Sequence, residues 1–247
     1  MNYPALDFSG FYGRKERLEK ILRYRAFVPM FYRSNVLTHT QRLLWLLEEV
    51  IPTVKKSVPG FHAALARTML AIHDDQEMDP QLGDVELGYK LAMNEEERAE
   101  LKAKEYEARK RVAHWFPSQV NGFGYLELME LYENQDGTHL ESALAKWFDK
   151  LDGFGEALHE LYAGNSQFAT FPEGMTCDPV RTQLGILRDF KWDYPVLAPL
   201  LQAAEHPLLT LPLVIDPDEI WPRGVLHTQE NILLDTGYLP YDSWKNV

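Results

Sequence analysis

The sequence predicts an all-α helical bundle over residues 1–165, followed by a proline-rich extension over residues 166–247. Three observations support this fold class. Apolar residues recur at helical spacing in several segments, one long segment is rich in the good helix formers Glu, Ala, Lys and Arg, and most of the fifteen prolines follow residue 165. So much proline argues against a second independent core, so we expect an irregular extension that packs on the bundle.

The predicted helices follow one another along the first part of the chain. A short helix is expected over residues 14–27, and a leucine-rich helix starts at Thr38 and ends or bends at Pro52. Four further helices are predicted over residues 60–75, 94–116, 124–134 and 138–164. In the extension we expect one helix at about residues 180–190, then an apolar segment over 195–205, then an irregular tail with room for a short β element.

Composition narrows the classes of function. The chain has 247 residues, of which 45% are hydrophobic and 25% charged, values typical of a soluble globular protein with a core. Its net charge of -12 and pI of about 5.1 argue against a nucleic-acid partner, because nucleic-acid-binding surfaces carry an excess of Lys and Arg. A small phosphorylated substrate stays compatible with this charge, since a local basic pocket can exist within an acidic protein.

Other sequence features bear on location and redox chemistry. The N-terminal stretch lacks the charged and apolar regions of a signal peptide, and no uncharged apolar run reaches about 18 residues, so we expect a cytoplasmic protein without a membrane partner. The single cysteine, Cys177, excludes an intramolecular disulfide framework and a thiolate-rich zinc site. We expect it to be chemically inert.

Two histidines stand in a context that suits metal binding. His73 ends an apolar helix and is followed directly by Asp74, within the string LAIHDDQEMDP. His39 lies 34 residues upstream, in the first turn of the leucine-rich helix. Two imidazoles together with carboxylates suit one divalent transition metal such as Mn, Co, Fe, Ni or Zn. We expect Asp75 and Asp79, in the same string, to be solvated acids.

A further carboxylate occupies an apolar stretch of the last long helix. Asp149 follows Trp147 and Phe148, and a buried acid is costly unless it is paired or ligates a cation. A salt bridge to Lys146 or Lys150 is the structural alternative for Asp149. Asp152 lies three residues on, on nearly the same helix face, and is the rival ligand.

Several strings resemble those of the HD-domain phosphohydrolases, whose metal-binding signature is H…HD…D, and most closely the 5′-deoxynucleotidase branch of that superfamily. The strings are NVLTH at 35–39, HDDQE at 73–77, GD at 83–84 and LAKWFDKLDGFGEALHELYAGN at 144–165. The resemblance covers roughly residues 14–165 and implies an HD-domain helical bundle there.

The resemblance also implies roles for individual residues. It implies one divalent cation held by His39, His73, Asp74 and Asp149. It implies that Glu77 acts as general acid or base, although a solvated loop carboxylate is the simpler interpretation of that residue. For the substrate it implies a phosphate clamp by an arginine before the second helix, with Arg23, Arg25 and Arg33 as candidates and the last two preferred, together with Lys90 for phosphate and Asp84 for a sugar hydroxyl.

The function implied is release of phosphate from nucleoside 5′-monophosphates, preferably deoxy. A triphosphohydrolase acting on deoxynucleoside triphosphates and a phosphodiesterase are the enzymatic alternatives, since the same ligands serve several phosphate esters. The non-enzymatic alternative is a degenerate bundle used for binding or oligomerisation. A homodimer is a further expectation from the resemblance.

Overall fold

The computed structural model of the chain describes residues 6–27, 30–133, 138–169, 179–203 and 205–215. Cys177 and the end of the expected irregular tail, from residue 216, lie outside these ranges. Within them the chain is almost entirely helical. The ten α-helices of this part of the chain are α1 (Arg14–Leu18), α2 (Val36–Ser57), α3 (Ala63–Ile72), α4 (Leu87–Ala92), α5 (Glu95–Ala113), α6 (Tyr125–Glu133), α7 (Leu140–Tyr162), α8 (Pro179–Asp193), α9 (Ala198–Ala203) and α10 (Pro207–Val214).

The long helix α7 is the centre of the bundle. It packs against α2, α3, α6 and α8, and its Trp147 and Phe148 are fully buried. The surrounding helices turn apolar residues toward it, including Leu43 and Leu47 of α2. The structure therefore confirms the all-α bundle, with one continuous core around α7.

Helix α2 starts earlier and ends later than predicted. The side chain of Asn35 accepts a hydrogen bond from the backbone N–H of Thr38 at 2.9 Å, which caps the first turn. Pro52 lies inside the helix rather than ending it. A proline there removes one backbone hydrogen bond, and the neighbouring Val50 and Val54 are fully buried in the core on either side of it, which holds the helix together.

The first predicted helix is much shorter than expected. It covers Arg14–Leu18 only, and the chain then folds back so that Leu22 pairs with Asn35 in an isolated antiparallel bridge. Tyr24 adopts a φ of 50°, a backbone conformation that does not continue a right-handed helix. The prediction over residues 14–27 is thus wrong beyond the first turn and a half.

Two short elements were not predicted. Helix α4 follows the loop after α3, and a two-stranded hairpin pairs β1 (Gln119–Val120) with β2 (Phe123–Gly124). Its turn residues Asn121 and Gly122 both have positive φ, as an Asn-Gly hairpin turn requires.

The extension continues the bundle as helices. Val180, Leu184, Leu187 and Phe190 of α8 are buried in the same core cluster as the residues of α7, so the core is continuous across residue 165. The domain boundary at residue 165 itself stays a prediction.

Segments expected to be irregular are also helical in this region. Pro195 starts a short 3₁₀ turn that leads into α9, and Pro207 starts α10. Proline fits the first turn of a helix because the N–H that it lacks has no partner there. These prolines therefore begin helices, whereas Pro212 lies inside α10, a position where proline normally disrupts a helix.

Helices α7 and α8 approach closely at one glycine. A side chain at Gly153 would place its Cβ only 2.9 Å from the amide nitrogen of Gln183. The carbonyl oxygen of Gly153 also accepts a hydrogen bond from the hydroxyl of Tyr24 at 2.7 Å. The glycine therefore brings the N-terminal loop, α7 and α8 together at one point.

None of the helices in the described ranges is both long and apolar enough to cross a membrane.

Candidate metal centre

Three helices bring the four predicted ligands together. His39 lies in the first turn of α2, His73 and Asp74 follow the end of α3, and Asp149 lies in the middle of α7. The ligand atoms of His39, His73 and Asp74 all lie within 4.8 Å of one another. Asp149 Oδ1 lies 3.3 Å from His39 Nε2. Residues separated by up to 110 positions in sequence thus converge on one point.

The two imidazoles each have one nitrogen bound and one free. Nδ1 of His73 lies 2.8 Å from the carbonyl oxygen of Leu70, and Nδ1 of His39 lies 2.7 Å from Asp152 Oδ2. Both Nε2 atoms are buried without a hydrogen-bond partner. Buried polar atoms normally have a partner, and metal-binding histidines typically bond through the other ring nitrogen to a carbonyl or carboxylate. The donor set therefore fits a divalent cation.

The charges of the cluster favour ionised carboxylates. Burial raises the pKa of Asp74, but the neighbouring His73 and His39 outweigh it and hold this pKa at about 2. Burial likewise raises the pKa of Asp149, yet Lys150, His39 and His73 hold it well below its usual value. Burial lowers the pKa of His73, whereas Asp74 and Asp149 raise it above its usual value. Acids and imidazoles thus stabilise each other here.

The geometry separates Asp149 from its rival Asp152. Asp152 accepts two hydrogen bonds from Arg42, at 2.7 and 2.8 Å, and one oxygen also contacts His39 Nδ1. Its carboxylate is therefore already paired behind the imidazole. A second group of possible ligand atoms, on His39, Asp152 and Glu156, is occupied by ion pairs, since Arg23 and Arg42 both bind Glu156.

Asp149 also forms the predicted alternative contact. Its Oδ2 atom lies 2.6 Å from Lys150 Nζ and 3.4 Å from the hydroxyl of Tyr132. Because Oδ1 faces His39 and Oδ2 faces Lys150, the salt bridge and a ligand role are compatible in one carboxylate.

Two cavities meet at the cluster. The first, of about 120 Å³, opens toward the N-terminal loop and the segment before α4. The second, of about 350 Å³, opens toward α5 and α8. Both are lined by Asp74, Glu77, Lys90, Asp149 and Lys150. The acids and the two lysines of this common wall therefore face any molecule that enters either cavity.

Glu77, on this common wall, has a buried carboxylate oxygen and a raised pKa. It lies in the 3₁₀ turn Asp75–Met78 that follows α3, and its Oε2 atom is buried without a partner. Burial, together with the charges of Asp74 and Asp84, raises the pKa of Glu77 well above its usual value. This side chain is not the solvated loop carboxylate that the sequence alone favours.

Two of the predicted substrate residues line the cavities. Asp84 lies on the first cavity, and burial raises its pKa. Lys90 of α4 reaches both cavities and forms an ion pair with Glu105 at 3.0 Å. The structure brings both within the site that the sequence indicated.

The two preferred arginines are elsewhere. Arg33 directs its guanidinium to the backbone carbonyls of Arg23, Tyr24 and Phe27, which fixes the N-terminal loop. Arg25 is exposed and does not line either cavity. Arg23, the third candidate, lines the first cavity and pairs with Glu156 at 2.8 Å. Of the three candidates, the structure therefore places Arg23 on the cavity wall and places Arg25 and Arg33 away from it, and a phosphate-binding role stays a prediction.

The two acids expected to be solvated are buried ion-pair partners. Asp75, 1% exposed, accepts from Arg14 and from the hydroxyl of Tyr125. Asp79, also 1% exposed, pairs with Arg111 at 2.5 Å. They fix the turn that carries Glu77 from the side opposite the cavities.

Sequence reasoning missed the contribution of the extension. Gln183 lines the first cavity, and Ile186, Phe190 and Tyr194 line the second. Lys146 of α7 also lines the second cavity. The sequence indicated Lys146 only as a possible salt-bridge partner of Asp149, and no local pattern marks the residues of the extension.

Comparisons with known proteins give a fold but no family. No family model matches the sequence, and no curated protein matches it either. Two solved structures resemble the chain, each with a TM-score of 0.54. One is a conserved hypothetical protein from Pyrococcus furiosus, 22% identical, with 76% of this chain and 92% of that chain covered. The other is a protein from Magnetospirillum magnetotacticum described as a predicted metal-dependent phosphohydrolase, 19% identical, with 93% of this chain and 92% of that chain covered. The three chains share a fold.

Proposed function

We propose that this protein is a metal-dependent phosphohydrolase of the HD-domain type, and that it releases phosphate from nucleoside 5′-monophosphates. The observation that carries the proposal is the pair of buried, unpartnered Nε2 atoms of His39 and His73, which face the carboxylates of Asp74 and Asp149 on a cavity wall. The shared fold with the Magnetospirillum protein, described as a predicted metal-dependent phosphohydrolase, supports the same class. The sequence strings around these residues support the nucleotidase branch.

His39, His73, Asp74 and Asp149 are the residues proposed to hold the ion. A divalent ion at this place would supply Lewis-acid chemistry toward a phosphoryl oxygen and a water molecule. The Nδ1–H group of His39 would donate to Asp152 and that of His73 to the Leu70 carbonyl, which orients the two imidazoles for that task.

Other residues of the chain would bind the substrate and move protons. Glu77 is part of the common wall, where its carboxyl group can exchange a proton with the attacking water or the leaving oxygen. Arg23 and Lys90 supply positive charge for the phosphate, and Asp84 can accept from a sugar hydroxyl. Each of these roles extends the geometry to a substrate and is part of the proposal.

The test combines metal content with product analysis. We expect elemental analysis by inductively coupled plasma mass spectrometry to find about one divalent ion per chain in the purified protein. We also expect the protein to release inorganic phosphate from nucleoside 5′-monophosphates when Mn²⁺ or Co²⁺ is added. His39→Ala should lose both the ion and the activity. His114→Gln, at the exposed end of α5, is the matched control and should keep both.

Different results would support the alternatives. Release of tripolyphosphate from nucleoside triphosphates indicates a triphosphohydrolase, and cleavage of diesters indicates a phosphodiesterase. A protein that binds metal but hydrolyses no phosphate ester would support a binding module. A protein that binds no divalent ion would contradict the proposal. The dimeric state and cytoplasmic location stay predictions.

A further inference from the structure

The second cavity is lined by aromatic and positively charged side chains that the first cavity lacks. Beyond the common wall it is bounded by the side chains of Lys146 and Tyr132 and, on the α8 side, by Phe190 and Tyr194. Arg98 and Lys102 of α5 are exposed at its edge, and the acids Glu133 and Asp193 also line it. Its volume of about 350 Å³ exceeds the roughly 120 Å³ of the first cavity. It therefore offers room for more than the group that would lie at the metal centre.

Lys146 is placed to face this cavity next to the metal centre. It precedes Asp149 by three residues on α7, so the two side chains lie on nearly the same helix face, about one turn apart. Its Nζ atom lies 5.4 Å from the ring centre of Tyr132 and 5.6 Å from that of Tyr194. The residue is only 7% exposed. The ammonium group is thus held between two aromatic rings on the cavity wall.

The ammonium group of Lys146 lacks an anionic partner. It forms no ion pair or hydrogen bond with any residue that the structure describes, whereas Lys90 pairs with Glu105 and Lys150 pairs with Asp149. A buried charge is costly unless it is paired. Contacts with aromatic rings recover only part of that cost. Burial accordingly lowers the pKa of Lys146, although the charge of Glu133 on the same cavity acts in the opposite direction.

From these contacts we propose that the substrate carries a second negatively charged group, and that Lys146 binds this group in the second cavity while a phosphate lies at the metal centre. This inference rests on the proposed phosphohydrolase activity and moves its preferred substrate from a simple nucleoside 5′-monophosphate to a nucleotide with a second negatively charged group. A nucleotide with a second phosphoryl group has the required chemistry, whereas a simple monophosphate leaves Lys146 unpaired. Lys146 is then a specificity-determining residue, because it acts on the part of the substrate away from the reacting phosphate.

The first arm of the test measures binding without catalysis. The probe is imidodiphosphate, whose P–N–P bridge resists hydrolysis, with inorganic phosphate as the comparison, titrated into both metal-loaded and chelator-treated protein by calorimetry. We expect the wild type to bind imidodiphosphate more tightly than phosphate. Lys146→Met keeps the apolar stem and removes the charge, and should weaken imidodiphosphate binding by about tenfold or more. Lys104→Met, on the exposed face of α5 outside the cavity, should change binding by no more than about threefold.

The second arm measures hydrolysis of matched substrates. In Lys146→Met, kcat/KM should fall more for a nucleoside 5′-diphosphate or 5′-triphosphate than for the 5′-monophosphate of the same nucleoside. An equal fall for all three, or an unchanged preference for imidodiphosphate in Lys146→Met, would overturn the inference. So would a wild type that shows no preference for imidodiphosphate. If the wild type hydrolyses nothing, the proposed function fails, and the binding arm still decides the role of Lys146.

Discussion

Asp74 and Asp75 are neighbours in sequence and face opposite sides of the same turn. Asp75 is closed off by partners: Arg14 donates to both of its oxygens at 2.6 and 2.7 Å, and Tyr125 donates at 2.6 Å. Asp74 instead faces the free Nε2 atoms of His73 at 3.1 Å and His39 at 3.6 Å. The hydrogen bonds of Asp75 are all made within the protein. Asp74 instead belongs to a cluster in which the two histidine Nε2 atoms have no hydrogen bond.

The difference shows how a structural acid is told from a functional one in this fold. Burial is a poor guide here, since both side chains are largely buried, that of Asp74 15% exposed and that of Asp75 1% exposed. What separates them is whether the surrounding polar atoms are already paired. The comparison therefore predicts that substitutions on the Asp75 side reduce stability, whereas substitutions on the Asp74 side reduce metal binding and activity.

The largest expected effect is on the Asp75 side. Asp75→Asn should lower the free energy of unfolding by about 3–5 kcal/mol, because it leaves the buried guanidinium of Arg14 without its counter-charge. Urea denaturation of the chelated protein measures this. Glu100→Gln, which removes an exposed ion pair with Lys104, is the control and should cost less than about 1 kcal/mol. If Asp75→Asn and Glu100→Gln lowered the unfolding free energy equally, Asp75 could not be the structural acid, which is what distinguishes it from Asp74.

The next effect is on the Asp74 side. Asp74→Asn should abolish stoichiometric metal binding and lower phosphate release by at least about a hundredfold, since even residues behind a metal ligand change affinity or activity by 10–100-fold. Elemental analysis and a phosphate-release assay measure the two effects. Circular dichroism should show that the variant keeps its helices. Full metal-dependent activity in this variant would refute the site.

A smaller effect is expected one layer behind the cluster. Asp152→Asn should weaken Mn²⁺ binding by about 10–100-fold, because Asp152 orients the imidazole of His39 through Nδ1. Competition with a metal-binding dye measures the affinity. Since Arg42 also loses a charged partner, the unfolding free energy of the chelated variant is measured in parallel. Unchanged Mn²⁺ affinity would show that His39 needs no such support.

The smallest expected effect is a loss of stability from a second substitution on the Asp75 side. Tyr125→Phe removes one of the hydrogen bonds to Asp75 and leaves the ion pair with Arg14 intact, so it should cost about 1 kcal/mol in unfolding free energy. Metal affinity should stay within about twofold of the wild type. A marked loss of metal binding here would mean that the two sides of the turn are coupled.

The cluster of His39, His73, Asp74 and Asp149 that the structure brings together was predicted from the sequence because its members carry local signals. His73 and Asp74 are adjacent, and His39 opens an amphipathic helix at a compatible distance. The choice between Asp149 and Asp152 stayed open because both lie on nearly the same face of one helix, and only the position of Arg42 separates them. Long helices with a clear apolar stripe were predicted within a few residues.

The errors arise where a residue's partner is distant in sequence. Asp75 pairs with Arg14, 61 residues away, and Asp79 pairs with Arg111, 32 residues away, so an acidic string that looked solvated is buried. Arg33, one of the two preferred arginines, binds backbone carbonyls. Such contacts cannot be predicted from a pattern of side chains in the sequence. Helix α10 was missed because Pro207 begins it and Pro212 lies within it.

Gly153 has a consequence for how the substrate range of this protein could change during evolution. Because α8 packs on α7 through one continuous core, with the Gln183 side chain against Gly153, exchanging the C-terminal helices for a foreign segment would require refitting the helix that carries Asp149. The easier evolutionary route is substitution at the positions of this region that face the second cavity, such as Ile186, Phe190 and Tyr194. New specificities should therefore arise by point mutations on a constant scaffold.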